Sequence, residues 1–143
     1  MSQQNVEIAK RVIDGFNPRD VQGFFADLKS YDDLFTADLE WLPAGPLALQ
    51  GKGYTGYRGR EGLETYLRDS RVMWARIRPL AEEYRDLGDR VLMLGRLHVL
   101  VRSSGVTLDS ENGVVFDFCD GKISRMRAYV DHGEALRAAG GAE

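Results

Sequence analysis

The sequence lacks most of what specialised classes of protein need. It has one cysteine, Cys119, and two histidines among 143 residues, so it cannot form an intramolecular disulfide, and Cys119 has no companion at metal-ligand spacing. No apolar run reaches the ~18 residues of a membrane-spanning helix, and the polar first residues lack the basic and apolar regions of a signal peptide. These absences predict a cytoplasmic protein with a structural cysteine and without a metal or other cofactor.

The sequence also lacks an excess of basic charge. Its 19 basic and 22 acidic residues give a net charge of −3, and the two signs are interspersed along the chain. A nucleic-acid-binding surface would be basic and clustered, so we expect neither a nucleic-acid nor a membrane partner. The length suits a single domain over residues 1–143, which would bury roughly two thirds of its unfolded surface.

A hairpin near the C-terminus is the strongest local signal. Two β-rich runs, 114–118 and 123–130, flank Asp120-Gly121, a pair that is typical of a tight turn between antiparallel strands. Alternation along the second run predicts that one set of side chains faces the interior and the other faces outward. The inward set is Ser124, Met126, Ala128 and Val130, and the outward set is Ile123, Arg125, Arg127, Tyr129 and Asp131.

The rest of the chain changes from a helical period to a period of two. Apolar residues at helical spacing predict one helix over 6–16, a second helical stripe from Asp20 to Phe35 with a break near Ser30-Tyr31, and a third helix from Arg60 that can include Trp74 and ends at Pro79. A short strand is expected at 39–42, followed by a loop rich in glycine and proline. Extended runs at 80–87, 91–102 and 106–118 then precede the hairpin. Helices followed by a meander of strands predict an α+β fold.

These elements carry a resemblance to a known family. Their order, with YRGREGLETYL at 57–67 and DGKISRMRAYVD at 120–131, resembles the NTF2-like superfamily, in its SnoaL-like and ketosteroid-isomerase-like branch. The resemblance implies a cone in which a strongly curved antiparallel sheet wraps around a pocket closed by the N-terminal helices. Many members are homodimers through the outer sheet face, where Arg125, Arg127 and Tyr129 would form the interface here.

The acids of the characterised branches are missing from the positions that resemble theirs. Leu42, Val12 and Val114 stand where ketosteroid isomerases carry their base and oxyanion donors. Ala128 stands where SnoaL-type cyclases and limonene-type epoxide hydrolases place an acid in the last strand, and Arg96 alone remains of the hydrolase pair. The resemblance therefore argues against ketosteroid isomerase and limonene-type epoxide hydrolase activity.

Alternation along neighbouring strands predicts a different polar set for the pocket. His98 would act as the general acid or base because imidazole exchanges a proton near neutral pH. Arg96 would hold an enolate or carboxylate, and Glu40 would orient the imidazole. The ligand-binding wall is expected to consist of Asn112, Tyr54, Tyr57, Trp74, Val114, Phe116, Met126, Ala128 and Leu42.

Each polar candidate also has a plainer interpretation. His98 can be a structural residue, Arg96 and Glu40 can form an internal ion pair, and Asn112 precedes a glycine and can mark a bulge. Two functions therefore stay open. One is a cofactor-independent isomerase, lyase or cyclase that acts on a small apolar or aromatic molecule by general acid/base chemistry. The other is a ligand-binding or dimerisation module without turnover.

Overall fold

The computed structural model describes residues 2–15, 31–43 and 57–140. The helices in these ranges are α1 (Ser2–Gly15), α2 (Tyr31–Leu34), α3 (Gly59–Met73) and α4 (His132–Ala138). The strands are β1 (Phe35–Leu42), β2 (Tyr57–Arg58), β3 (Trp74–Asp86), β4 (Arg90–Val101), β5 (Thr107–Cys119) and β6 (Lys122–Tyr129). No helix in these ranges is long and apolar enough to cross a membrane.

The described strands form one curved sheet in the order β2-β1-β6-β5-β4-β3. Neighbouring strands are antiparallel, except that β1 runs parallel to β6. Register shifts interrupt the pairing of β3 with β4 and of β5 with β6, and such bulges bend the strands in which they occur. The predicted α+β cone with a strongly curved, mostly antiparallel sheet is confirmed.

The hairpin at Asp120-Gly121 forms as predicted, but a bulge beside it changes the facing of one residue. Asp120 and Gly121 both have positive φ, 54° and 80°, as the tightest hairpin turns require. Phe118 pairs with Ile123, although the next pair along β5 joins Asp117 to Arg125. One extra residue in β6 therefore turns Ile123 to the inner face, where it is fully buried, and its predicted outward position is wrong.

Two predicted element boundaries are also wrong. Phe35 begins β1 instead of ending a helix, and Trp74 begins β3 instead of closing α3. Pro79 consequently lies inside a strand, opposite Leu97. β3 is an edge strand with a single neighbour, which is where a sheet tolerates a residue without an N–H. Most of the helix predicted after Asp20 and most of the predicted glycine-rich loop lie outside the described residues.

The sheet is covered on both faces. On the inner face, α1 and α3 pack over the larger cluster of buried side chains, which includes Val12, Leu39, Leu63, Phe116 and Met126. On the outer face, α4 covers a smaller cluster built from Leu92, Leu94, Val115, Ala135 and Ala139, with Tyr129 packed against it. The outer cluster depends on a close approach at Gly113, since a Cβ there would lie 2.4 Å from the Ala135 Cβ.

Candidate functional site

A cavity of about 350 Å³ lies between the inner face of the sheet and the helices. Val12 and Ile13 of α1 and Tyr66 of α3 close one side of it, and inward-facing residues of β1, β3, β4, β5 and β6 form the other. Most of these side chains are apolar. The volume falls at the lower end of the range found for small-molecule pockets.

The buried end of the cavity is aromatic. Trp41 of β1 stands opposite Met126 of β6, which in turn stands opposite Phe116 of β5. Tyr66 meets the Trp41 ring edge to face, with 5.3 Å between ring centroids and an interplanar angle of 87°. All four side chains are buried. They form a rigid surface against which a flat apolar molecule can pack.

The opposite end of the cavity opens to solvent between Leu108 and Val130. Both residues line the cavity, yet they are 44% and 45% exposed. Ser110 and Asn112 occupy the next two inward positions of β5 beyond Leu108. The wall therefore changes from apolar at its buried end to polar just inside the mouth.

Asn112 differs from every other polar residue on this wall in its burial. It is 5% exposed and stands opposite Gly95, which places no side chain beside it. Its amide makes no hydrogen bond to another described residue and stays accessible from the cavity. The Trp41 indole N–H is fully buried and likewise finds no acceptor among the described residues.

Six of the predicted ligand-binding residues lie on the cavity wall. They are Trp74, Asn112, Val114, Phe116, Met126 and Ala128. The alternation inferred for β5 and for the second half of β6 therefore places side chains on the correct face. That these six residues bind a ligand stays a prediction.

Two other predicted wall residues lie elsewhere. Leu42 stands opposite Arg127, and its neighbours Trp41 and Pro43 line the cavity instead. Tyr57 packs behind the wall, where its hydroxyl donates to Asp69 Oδ2 at 3.2 Å. Burial, followed by the charge of the Asp69 carboxylate and this hydrogen bond, raises the pKa of Tyr57 above its usual range. Tyr54 lies outside the described residues.

The inward orientation predicted for Arg96 and His98 is wrong. Leu97 and Val99 are the residues of β4 that line the cavity, so their neighbours point to the other face. On that face the His98 Nδ1–H donates to Asp109 Oδ1 at 2.8 Å. Arg96 is exposed, and its register partner on β5 is a glutamate.

Glu40 is also turned away from the cavity, because its neighbour Trp41 faces inward. Its carboxylate lies 3.7 Å from Arg58 Nη2 and 3.4 Å from Arg125 Nε, so the ion pair considered between Glu40 and Arg96 does not form. Of the described lining residues, none is an Arg, Lys, His or Glu. Asp109 lies at the mouth with its carboxylate bonded to His98.

The described wall offers no metal site. In residues 2–15, 31–43 and 57–140 there is no group of three or more His, Cys, Asp or Glu side chains that could hold an ion. The inner part of this wall supplies apolar packing plus neutral hydrogen-bonding groups from Asn112 and Ser110. The carboxylate among the described lining residues is that of Asp109, which lies at the mouth and accepts a hydrogen bond from His98.

Sequence reasoning missed Trp41, Tyr66 and Ser110 as wall residues. The signal for the correct facing of β4 was present in its sequence, because Leu97 and Val99 alternate with Arg96 and His98. Such alternation is typical of a strand with one face in the interior and one in solvent. Placing the polar set inward required a functional reason to override that pattern, and the structure supplies none.

Comparison with known proteins identifies the fold. The sequence matches no protein-family model, and a search of curated proteins finds no significant match. The structure is similar to an NTF2-like protein of unknown function from Burkholderia pseudomallei, with a TM-score of 0.73 and 19% identity over 94% of this chain and 95% of that one.

Two further solved structures are similar over nearly their whole length. TerC, co-crystallised with polyporic acid, has a TM-score of 0.71 and 24% identity, over 95% of this chain and 97% of that one. A putative SnoaL-like polyketide cyclase from Jannaschia sp. has a TM-score of 0.67 and 18% identity, over 99% and 94%. At these identities the similarities show the fold, and the predicted NTF2-like architecture is confirmed.

Proposed function

We propose that this protein binds a small, largely apolar molecule in the cavity between the sheet and the helices. The observation that carries the proposal is the cavity itself, which is walled by buried aromatic and aliphatic side chains and open at the end marked by Leu108 and Val130. An apolar concavity with a few inward-facing polar groups is the usual form of a small-molecule site. TerC, which has the same fold, was co-crystallised with an organic ligand, polyporic acid, and this supports the proposal.

Binding without turnover is the better supported of the two functions that the sequence left open. General acid/base chemistry needs a titratable group within hydrogen-bonding reach of the substrate. His98, Arg96 and Glu40 lie on the outer face, and the one carboxylate among the described lining residues, that of Asp109, lies at the mouth and accepts a hydrogen bond from His98. No observation on this wall favours an isomerase, lyase or cyclase.

The first prediction tests occupancy of the cavity. N-phenylnaphthylamine, a neutral dye that fluoresces strongly in apolar surroundings, is expected to bind one per chain with a blue-shifted emission. Ala128→Trp places an indole in the cavity and is expected to weaken binding by about 100-fold or more, since the dye and the new ring compete for the same volume. Fluorescence titration measures both affinities.

Arg96→Ala is the matched control, because it removes an exposed side chain from the outer face of the same sheet. It is expected to leave the dye affinity unchanged. Circular dichroism of both variants checks that they are folded. Equal affinity of the wild-type protein and the Ala128→Trp variant would contradict the proposal, and so would a loss of binding in the Arg96→Ala variant alone.

The second prediction is that the protein forms a homodimer through the part of the outer sheet face that α4 leaves uncovered. Arg125 lies there, with 43% of its side chain exposed, beside Glu40. Arginine is enriched in protein interfaces, and alternating charges allow two copies of this face to pair with each other. Light scattering should therefore give twice the 16.0 kDa mass of one chain.

The matched variant for the dimer is Arg125→Glu, which places like charges opposite each other across a two-fold axis. It is expected to give the monomer mass. Arg11→Glu, at an exposed position of α1 on the opposite side of the sheet, should leave the mass unchanged. A monomeric wild-type protein at micromolar concentration would refute the prediction.

A further inference from the structure

The amide of Asn112 is a polar group without a hydrogen-bonding partner in the described part of the protein. Asn112 is 5% exposed, lies on the wall of an apolar cavity, and makes no hydrogen bond to the described part of the chain, while its amide stays accessible from the cavity. Polar groups at buried positions are usually hydrogen-bonded to protein, water or a ligand. A molecule inside the cavity is therefore the natural partner for this amide.

The position of Asn112 predicts how that molecule is oriented in the cavity. The cavity is lined at its buried end by Trp41, Phe116 and Met126, whereas Ser110 and Asn112 lie toward the mouth. Ser110 and Asn112 are consecutive inward positions of one strand and are thus about 7 Å apart along it. A ligand with an apolar body and one polar end fits this arrangement with its apolar body innermost.

The lack of positive charge among the described lining residues restricts the chemistry of the ligand's polar end further. No Arg, Lys or His is among the described residues that line the cavity, and the acid at its mouth is Asp109. A carboxylate or phosphate on the ligand would lose its hydration without gaining a cation. An amide, by contrast, offers both a donor and an acceptor to a neutral oxygen group.

We propose that Asn112 selects a neutral ligand, one whose apolar body lies against Phe116 and Met126 and whose hydroxyl or carbonyl group is hydrogen-bonded by the Asn112 amide. This inference rests on the proposed function, because it names the class of molecule that the same cavity takes. It adds a specificity-determining residue, Asn112. It also adds a preference for neutral ligands, which the volume and apolarity of the cavity alone do not predict.

The test uses three probes of nearly equal size: naphthalene, β-naphthol and β-naphthoate. Their affinities are measured by displacement of N-phenylnaphthylamine from the wild-type protein and from Asn112→Leu, which keeps the size of the side chain and removes its polar atoms. The ratio of the naphthalene to the β-naphthol dissociation constant is expected to be about tenfold larger in the wild-type protein than in the variant. β-Naphthoate is expected to bind at least about 100-fold more weakly than β-naphthol.

A second measurement separates a ligand-binding amide from a structural one. If the amide has no partner in the protein, Asn112→Leu should raise the melting temperature of the ligand-free protein by about 2 to 6 °C. A lowered melting temperature would show that the amide makes a structural hydrogen bond, and it would overturn the inference. Asn112→Ala repeats the displacement test with a smaller side chain if the leucine variant does not fold.

The outcomes distinguish this inference from the proposal on which it rests. If the dye does not bind the wild-type protein, the proposed function fails and the inference fails with it. If the dye binds but the ratio of dissociation constants is the same in the wild-type protein and the variant, the inference alone fails. Tight binding of β-naphthoate would likewise overturn the preference for a neutral ligand and leave the proposed function intact.

Discussion

Gly95→Ala is expected to destabilise the protein by about 3 kcal/mol or more, because an added methyl group has no room to enter the sheet. A Cβ at Gly95 would lie 2.1 Å from the Leu80 carbonyl oxygen and 3.0 Å from the Ala81 Cα. Both atoms belong to the backbone of β3, so no side-chain rotation can relieve the clash. The strand itself would have to move, at the point where the pairing of β3 and β4 shifts register between Ala81 and Glu83.

Gly95→Ala is also expected to change the shape of the cavity, since Gly95 stands opposite Asn112. Separating β3 from β4 there moves the wall on which Asn112 lies, so weaker binding of β-naphthol is expected in any Gly95→Ala protein that still folds. Urea denaturation followed by circular dichroism measures the stability. The melting temperature is expected to fall by roughly 10 °C.

Gly105→Ala is the matched control, since it adds the same methyl group at a glycine with open space. No heavy atom lies within 4 Å of a Cβ built there, although φ is +73°. The positive φ alone should cost about 1 kcal/mol. Equal stability of the two alanine variants would show that β3 can shift to accommodate the methyl group without a loss of stability. The steric argument for Gly95 would then be wrong.

The elements predicted correctly from sequence are those with strong local patterns. Residues 6–16 contain apolar side chains at helical spacing, and α1 covers nearly the same range. Asp120-Gly121 has the chemistry of a tight turn, and both residues adopt the positive φ that the turn requires. In each case the residues that determine the structure are adjacent in the chain, so local reading is sufficient.

The facing of strands was harder to predict, because it depends on register between distant segments. A shift of one residue turns every side chain of a strand to the other face. The single bulge beside the hairpin is enough to bring Ile123 inward. The error for β4 had a different cause: its local alternation indicated the correct facing, but a functional argument placed Arg96 and His98 in the cavity that Leu97 and Val99 line.

The pairing partner of β1 in the sheet could not be inferred from the local sequence. It pairs in parallel with β6, more than 80 residues later in the chain, and nothing in either segment specifies that partner. The pairing turns Trp41 inward and brings Glu40 beside Arg125 on the outer face. The candidate site was therefore predicted best on β5 and β6, which pair with each other across the Asp120-Gly121 turn, and worst on β1.

Phe116→Ala is expected to destabilise the protein by about 3 to 5 kcal/mol, the usual cost of removing a buried aromatic ring. Phe116 has no exposed surface, belongs to the inner-face cluster under α1 and α3, and lines the cavity. Its loss removes packing from the core and enlarges the cavity at its buried end. The melting temperature should fall by roughly 10 °C, as measured by differential scanning calorimetry.

Phe116→Ala is expected to affect the affinity for the dye much less than the stability of the protein. Because truncation enlarges the cavity without touching Asn112 or the mouth, N-phenylnaphthylamine is expected to keep an affinity within about tenfold of the wild-type value. Leu87→Ala, at a residue that is 40% exposed, is the control, and it should change the stability by no more than about 0.5 kcal/mol. A Phe116→Ala protein that is as stable as wild type but no longer binds the dye would show that Phe116 serves the ligand alone, and the assignment of this ring to the core as well as to the cavity wall would be wrong.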